Sequence, residues 1–327
     1  MKSKAAIRTQ EDFYFAVSPL MIFPKTLGHF RVYIKQAGHY VLYAAENEQF
    51  SSRHRQKLYD AGVKEVFVRA LERPDFDRYI EKHLPHILAD AAISVEERAK
   101  VLYTAADSVV RDVFEMRLPL GLAKREYTRI ANLAEKSVKF LAQDEALRRI
   151  AALAAHDYTV HTHSVHVFVF TTALLQSMKV DEYTQVQAGV GALLHDIGKT
   201  HIPVEILSKP GPLTPEERDL VRTHPARGMA LCQDVPLTQT AGNCILMHHE
   251  RMDGSGYPGG LSGELIPLYV RVLAISDVYD ALTTKRPYAD AMPPFQALRL
   301  MRDEMEGAFD LDVYKHLVMI LSDAKML

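Results

Sequence analysis

The chemistry in this chain is concentrated in a cluster of imidazole and carboxylate groups. Nine of the fifteen histidines fall between His156 and His249. His195 and Asp196 end an apolar run (Val186, Val190, Leu193, Leu194) at helical spacing, and Gly198 is read as the flexible residue that lets this helix stop. An adjacent histidine and carboxylate at the end of a buried helix are costly unless positive charge satisfies them. An ion pair with Lys199 is one solution and a metal ion is another. His163 stands near the start of an apolar helix through Val165, Val167, Phe168 and Val169. His224 precedes Pro225, so its backbone is expected outside the helical region, at or near a helix start. His248 and His249 end a helix through Ala241, Ile245 and Leu246. Adjacent helical residues point about 100° apart, so this pair converges on one ion only where the helix ends or the ion lies over its edge. Asp277 arrives from the buried side of Leu273-Ala-Ile-Ser-Asp277. Imidazole with carboxylate suits borderline divalent ions such as iron, manganese or zinc. His156, His161, His166 and His201 lack a matching context and are expected at the surface or behind the ligands. Asp253 and Asp280 read as braces of a loop and a helix.

These groups need helices to carry them. From 144 to 327 the pattern is strongly helical, broken by the loops Ser208-Lys-Pro-Gly-Pro212 and Asp253-Gly-Ser-Gly-Tyr-Pro-Gly-Gly260; Asp144 is suited to cap a helix through Leu147, Ile150 and Leu153. Ser94 to Glu97 has the form of a capping box, and Leu102, Ala105, Val109, Val113 and Met116 follow at spacings of three and four. Leu118 to Gly121 breaks that helix, and another runs through Tyr127, Ile130, Leu133, Val138 and Leu141. The first 90 or so residues are mixed. Strands are expected at 13–17, 30–34, 40–43 and 65–68, with a hairpin turn at Gly38 and helices at 51–58 and 76–88. The expected architecture is therefore an N-terminal α+β domain (1–92), a helical connector (93–143) and an all-α bundle (144–327). The connector has three roles open to it: packing on one domain, bridging two, or pairing subunits in a homodimer.

Hydrophobic content of 48% and charged content of 24% describe an ordinary globular chain. A net charge of -2 gives no broad basic field and argues against general nucleic-acid binding. Cys232 and Cys244 read as reduced thiols of a cytoplasmic protein. Met1 to Phe13 lacks the apolar core of a signal peptide, and the apolar run Tyr14 to Pro24 is too short to span a bilayer, so no membrane partner is expected.

Taken in order, His163-Ser164, His195-Asp196-Ile-Gly-Lys199, Ile206-Leu-Ser-Lys-Pro-Gly-Pro-Leu213, His224-Pro225, Gly228, His248-His249-Glu250, Asp253-Gly-Ser-Gly-Tyr-Pro258, Asp277-Val-Tyr-Asp-Ala-Leu282 and Arg286-Pro-Tyr288 resemble the HD-GYP family. That family is a branch of the HD metal-dependent phosphohydrolases and acts on cyclic di-GMP. The resemblance covers roughly 144–327, and the N-terminal part resembles the variable regulatory modules joined to such domains. It implies a cyclic di-GMP phosphodiesterase of bacterial signalling, an all-α HD-GYP bundle and two metal ions per chain. His163, His195, Asp196 and Asp277 would hold the first ion, with Asp196 bridging to a second held by His224, His248 and His249. A hydroxide bridging the two ions would open a 3′–5′ phosphodiester to linear pGpG. Lys199 would neutralise charge on the phosphate oxygens, while Lys209, Arg286 and the loop around Tyr257 would contact the second phosphate or the bases. Protein partners would be met through that loop or the N-terminal domain. Two rivals stand beside this reading. One is an HD hydrolase of another cyclic dinucleotide or nucleotide; the other is a non-catalytic partner-binding module that keeps the fold.

Three positions depart from the family's pattern: Thr159 where trinuclear members have glutamate, Met252 where tryptophan is frequent, and Ala289-Asp290 where a basic residue often follows. A neutral hydroxyl at 159, one turn ahead of His163, is a poor ligand for divalent iron or manganese. Two ions per chain and a product mixture dominated by pGpG over GMP are therefore expected. Elemental analysis of anaerobically prepared protein, beside a Thr159→Glu variant, checks this. Three tightly held ions in the unmodified chain would contradict it and make Asp157 the first suspect.

Overall fold

The computed structural model describes residues 13–22, 25–115, 121–143, 145–146, 148–150, 159–285, 290–323 and 326. Its contacts divide the chain into two units, 1–105 and 106–327. In the first unit an antiparallel sheet takes the order β1 (Tyr14–Val17), β6 (Val66–Arg69), β3 (Val32–Gln36), β4 (His39–Ala44). The hairpin between β3 and β4 turns at Ala37 and Gly38, both at positive φ (47° and 86°), which matches the twist of the flanking strands. A smaller sheet pairs β2 (Lys25–Thr26) with β5 (Gln49–Phe50), and α1 (Ser52–Asp60) and α2 (Arg73–Ala89) complete the unit. Phe30 centres its core, edge-on to Phe76 and Tyr79 at 5.3 and 5.1 Å between ring centroids.

The division falls inside α3 (Val95–Glu115). Beyond it lie α4 (Lys124–Leu141), α5 (Val160–Ser177), α6 (Glu182–Leu194), a 3₁₀ turn (Ile197–His201), α7 (Val204–Leu207), α8 (Pro215–Arg222), α9 (His224–Leu231), α10 (Gln239–Met247), α11 (Leu268–Thr283), α12 (Pro294–Asp303) and α13 (Leu311–Asp323). An N-terminal α+β unit followed by a helical bundle is the class expected from the sequence. The expected cap at Asp144, Leu147 and Leu153 and the break at Leu118 fall outside the described residues.

α5, α6 and α11 form the centre: α5 packs on α6 and α11, and α6 also on α4 and α10. Helices apolar all round are buried all round, and Phe168, Leu193, Leu194 and Ile275 are fully buried. Thr159, Asp181 and Thr238 cap α5, α6 and α10 through their side chains, so three of the helices carrying the histidines and Asp196 start at defined positions.

Two local expectations are corrected. His224 is the first residue of α9, not a non-helical residue ahead of it. Thr223, the single residue between α8 and α9, keeps right-handed helical angles (φ −79°, ψ −13°), and Pro225 sits in the first turn, where no N–H is needed. Gly198 does more than loosen a helix end. A Cβ there would overlap the His224 carbonyl oxygen and lie 2.6 Å from the Gly228 nitrogen, so glycine lets the 3₁₀ turn close onto α9.

Among the described residues no helix is long and apolar enough to cross a membrane. Cys232, after α9, and Cys244, within α10, are free and buried. Burial pushes the Cys232 thiol up to about 12 and Cys244 higher still, which depletes the reactive thiolate at neutral pH. A thiol reagent at pH 8 is expected to titrate neither cysteine in the native protein and both after denaturation. Rapid labelling of the native protein would contradict this packing.

Candidate metal centre

The end of α6, the first turns of α5 and α9, the end of α10 and the middle of α11 converge on one buried spot. Asp196, 1% exposed, lies at its centre. Its Oδ2 faces His163 Nε2 at 3.8 Å and His195 Nε2 at 3.5 Å; its Oδ1 faces His224 Nε2 at 3.3 Å and His248 Nε2 at 3.8 Å. Asp277 adds Oδ1 at 3.0 Å from His163 Nε2 and Oδ2 at 3.8 Å from His249 Nδ1. Three groups have the spacing to hold a metal ion: His163, His195 and Asp277; His224, His248 and His249; and His195, Asp196 and His248. The structure thus gathers all seven residues expected as ligands. Asp277 reaches the spot from mid-helix, so the helix-end rule covers His195, Asp196, His248 and His249 but not every member.

The far side of each ring is fixed. His195 Nδ1 donates to the Ala192 carbonyl at 2.7 Å, His224 Nδ1 to that of Val221 at 2.7 Å, and His248 Nδ1 to that of Ile245 at 2.9 Å. His163 Nδ1 donates to Asp280 Oδ2 at 2.7 Å. With the proton on Nδ1, each Nε2 carries a lone pair aimed inward. His224 Nε2 and His248 Nε2 then face each other at 3.0 Å, two acceptors in contact. His195 Nε2 and Asp196 Oδ1 are buried without a hydrogen-bond partner. Orphaned acceptors gathered around an anion are what a divalent cation satisfies.

Electrostatics agree with that donor set. Burial works against ionisation of Asp196, but the Lys199 ammonium outweighs it and holds the carboxyl well below its ordinary range. Asp277 is likewise held below its ordinary range: burial opposes ionisation, and the contact with His163, 3.0 Å away, outweighs it. Burial holds His224 and His248 neutral, and it pushes His249 down to about 3 against the pull of Asp277. Neutral imidazoles and ionised carboxylates are the protonation states that bind metal.

Lys199 Nζ, part-exposed, pairs with Asp196 Oδ2 at 2.5 Å. Lys209 bonds Glu217 Oε2 at 2.6 Å, in the capping box of α8. Tyr257 stacks on His249 with centroids 4.7 Å apart. Arg286 falls outside the described residues, as do His156 and Asp157. His161 approaches Asp107 at 3.3 Å, and His201 is exposed. Asp253 braces its loop, accepting from the Ser255 nitrogen and hydroxyl. Thr159 spends its hydroxyl on capping α5. Glu250 is buried and accepts from the Gly259 and Leu261 nitrogens at 2.6 and 2.9 Å, tying the glycine-rich loop beside His249. Gly256 fits because a Cβ would come within 2.5 Å of the His249 oxygen. A cavity of about 180 Å³ opens beside His248 and His249, and its rim adds Arg222, Arg251 and Phe309, which motif spacing did not single out.

Asp280 has more to do than brace a helix. It accepts from His163 at 2.7 Å and, through its other oxygen, from His166 at 2.8 Å and Thr284 at 2.9 Å. The α11 spacing of 277 and 280 places one carboxylate against Nε2 of His163 and the other against its Nδ1. Asp280→Asn is expected to weaken metal affinity roughly 10–100-fold in a competitive chelator titration, with Asp253→Asn close to the parent. Equal retention by both variants would contradict the orienting role.

The HD domain family matches the chain over residues 108–313. A cyclic di-GMP phosphodiesterase of Pseudomonas aeruginosa is 33% identical over 80% of this chain and 66% of its own length. A 3′3′-cGAMP-specific phosphodiesterase of Vibrio cholerae is 34% identical over 46% of this chain and 33% of its own. The chain thus spans from a third to just under two thirds of these relatives. The solved structure of an HDG"Y"P protein from Bdellovibrio bacteriovorus superposes with a TM-score of 0.66 over 95% of this chain and 100% of the other, at 23% identity, a likeness of fold. Family match, motif order and the shared helical bundle agree: the chain belongs to the HD domain family, in its HD-GYP branch.

Proposed function

We propose that the chain is a cytoplasmic phosphodiesterase of a cyclic dinucleotide, with cyclic di-GMP as its substrate. The observation that carries this reading is the placement of Asp196, whose two oxygens face two different histidine sets. Relatives named for this activity support it. His163, His195, Asp196 and Asp277 would hold one ion, and Asp196, His224, His248 and His249 a second, iron before manganese or zinc. When bound, such a pair supplies a nucleophile at neutral pH and positive charge for phosphate oxygens.

The chain's own groups supply position and charge. Asp196 spaces the two halves, and Asp280 holds the His163 ring at the angle its ligand role needs. Lys199, at the edge of the site on the Oδ2 side of Asp196, is assigned to the non-bridging oxygens of the phosphate under attack. Water adds to that phosphorus, the ribose 3′ oxygen leaves, and the ring opens to linear pGpG. Among the described residues the metal-competent groups all lie in the second unit; regulation and protein contacts are assigned to 1–92, with 93–143 as connector. A second reading, 3′3′-cGAMP as substrate, is favoured by the Vibrio cholerae relative.

The test is turnover of both cyclic dinucleotides by anaerobically purified protein, with metal content measured on the same sample. Hydrolysis of cyclic di-GMP to pGpG is expected, and binding without turnover in metal-replete protein would overturn the enzyme reading. Asp196→Ala should abolish activity and lower occupancy of both ions, whereas His166→Ala should lose much less metal. Lys199→Ala should keep its metal and lose roughly 10²–10³-fold in kcat, more than KM rises. Unchanged turnover at full metal content would reduce Lys199 to an ion-pair partner of Asp196.

A further inference from the structure

The rim of the cavity beside His249 is built unlike its floor. The floor holds the imidazoles of His248 and His249; the rim carries the two exposed guanidinium groups of Arg222 and Arg251, with Tyr257 and Phe309 also in the lining. Tyr257 lies in a stack. One face meets His249 at 4.7 Å and 28°, and the Arg222 guanidinium sits 5.4 Å from its ring centroid. Arg222 has no ion pair with a carboxylate among the described residues, while Glu250, the acid nearest along the cavity wall, spends both oxygens on loop amides.

Arg222 is also the last residue of α8, where any cation complements the helix end. That role explains a charge but not a guanidinium laid over Tyr257 at the mouth of the site. A planar fork held on an aromatic face, with its donors unspent, is suited to bidentate capture of a phosphate. The macrocycle of a cyclic dinucleotide holds its second phosphate one ribose away, by either path, from the one being cleaved. The same pair of ions cannot serve both phosphates, so the second needs its own cationic seat outside the metal spot.

We propose that Arg222, presented on Tyr257 and assisted by Arg251, binds the phosphate of the cyclic dinucleotide that is not under attack, and so sets the preference for dinucleotide rings over simple phosphodiesters. This rests on the reading of the chain as a cyclic dinucleotide phosphodiesterase. Tyr257 is the shared element, tying the orientation of the rim guanidinium to a histidine of the metal centre.

The test compares cyclic di-GMP with bis(p-nitrophenyl) phosphate, a phosphodiester with no second phosphate, on metal-replete wild-type, Arg222→Ala and Arg222→Lys proteins. For Arg222→Ala, KM for cyclic di-GMP should rise about ten- to a hundredfold, more than kcat falls, as for loss of a charge-assisted hydrogen bond. The ratio of kcat/KM for cyclic di-GMP to that for bis(p-nitrophenyl) phosphate should drop by the same factor. Arg222→Lys keeps the charge at the helix end but loses the fork, and should recover only part of the loss. An unchanged ratio in Arg222→Ala, whether both substrates suffer alike or neither does, would overturn the assignment while leaving the substrate reading intact. A wild-type protein that cleaves bis(p-nitrophenyl) phosphate but no cyclic dinucleotide would overturn both.

Discussion

One buried carboxylate organises the second unit. Asp196 carries a full negative charge in the middle of an apolar bundle, a placement that costs several kcal/mol unless cationic or donor groups surround it. In this chain those surroundings are mostly acceptors. The Nδ1 protons of His163, His195, His224 and His248 are committed outward, so the inward nitrogens cannot donate to Asp196. Lys199 answers one oxygen, and Oδ1 is left facing two imidazole lone pairs. A divalent cation resolves this arrangement; an apolar or purely hydrogen-bonded core would not have produced it.

The scaffold can be read as the means of bringing five separate elements to that carboxylate. α5 and the second half of α6, 188–194, are buried on nearly all faces and pack at the centre, so His163 and His195 arrive from helices with no freedom to turn. Small residues set the approach distances. Gly198 lets the turn after Asp196 close onto the His224 carbonyl, and Gly191 leaves room for Cys244 of α10. Glu250 then ties the glycine-rich loop back against the end of α10, which holds Tyr257 on the His249 ring. The histidine cluster and the cavity wall at Tyr257 are thereby linked through one short stretch, 248–257.

Much of this was legible in the sequence, because helical periodicity with polar residues at its ends is a local signal. The runs before His195 and His248 showed which way each helix faced, and the strands and hairpin of the first unit followed from alternation and from Gly38. What was not legible depends on contacts between distant segments. Gly198 looks like a helix terminator until α9 is seen against it. Asp280 stands in the quoted Asp277–Leu282 stretch and His166 one turn after His163, but Asp280 bonds both rings only because α11 lies along α5. The bond from Lys209 to Glu217, eight residues on, likewise shows only in the fold. Arg222 has the composition of an ordinary helix-end cation, and only the fold of the 253–260 loop puts a ring beneath it.

The proposed mechanism requires Asp196 to serve two ions at once. Anomalous diffraction from anaerobically grown crystals, recorded at the iron and manganese absorption edges, tests this most directly. Two peaks are predicted per chain, one on the His163, His195 and Asp277 side of Asp196 and one on the His224, His248 and His249 side, each within coordination distance of a different oxygen of that carboxylate. A single peak, or two peaks that leave Asp196 outside both coordination spheres, would contradict it.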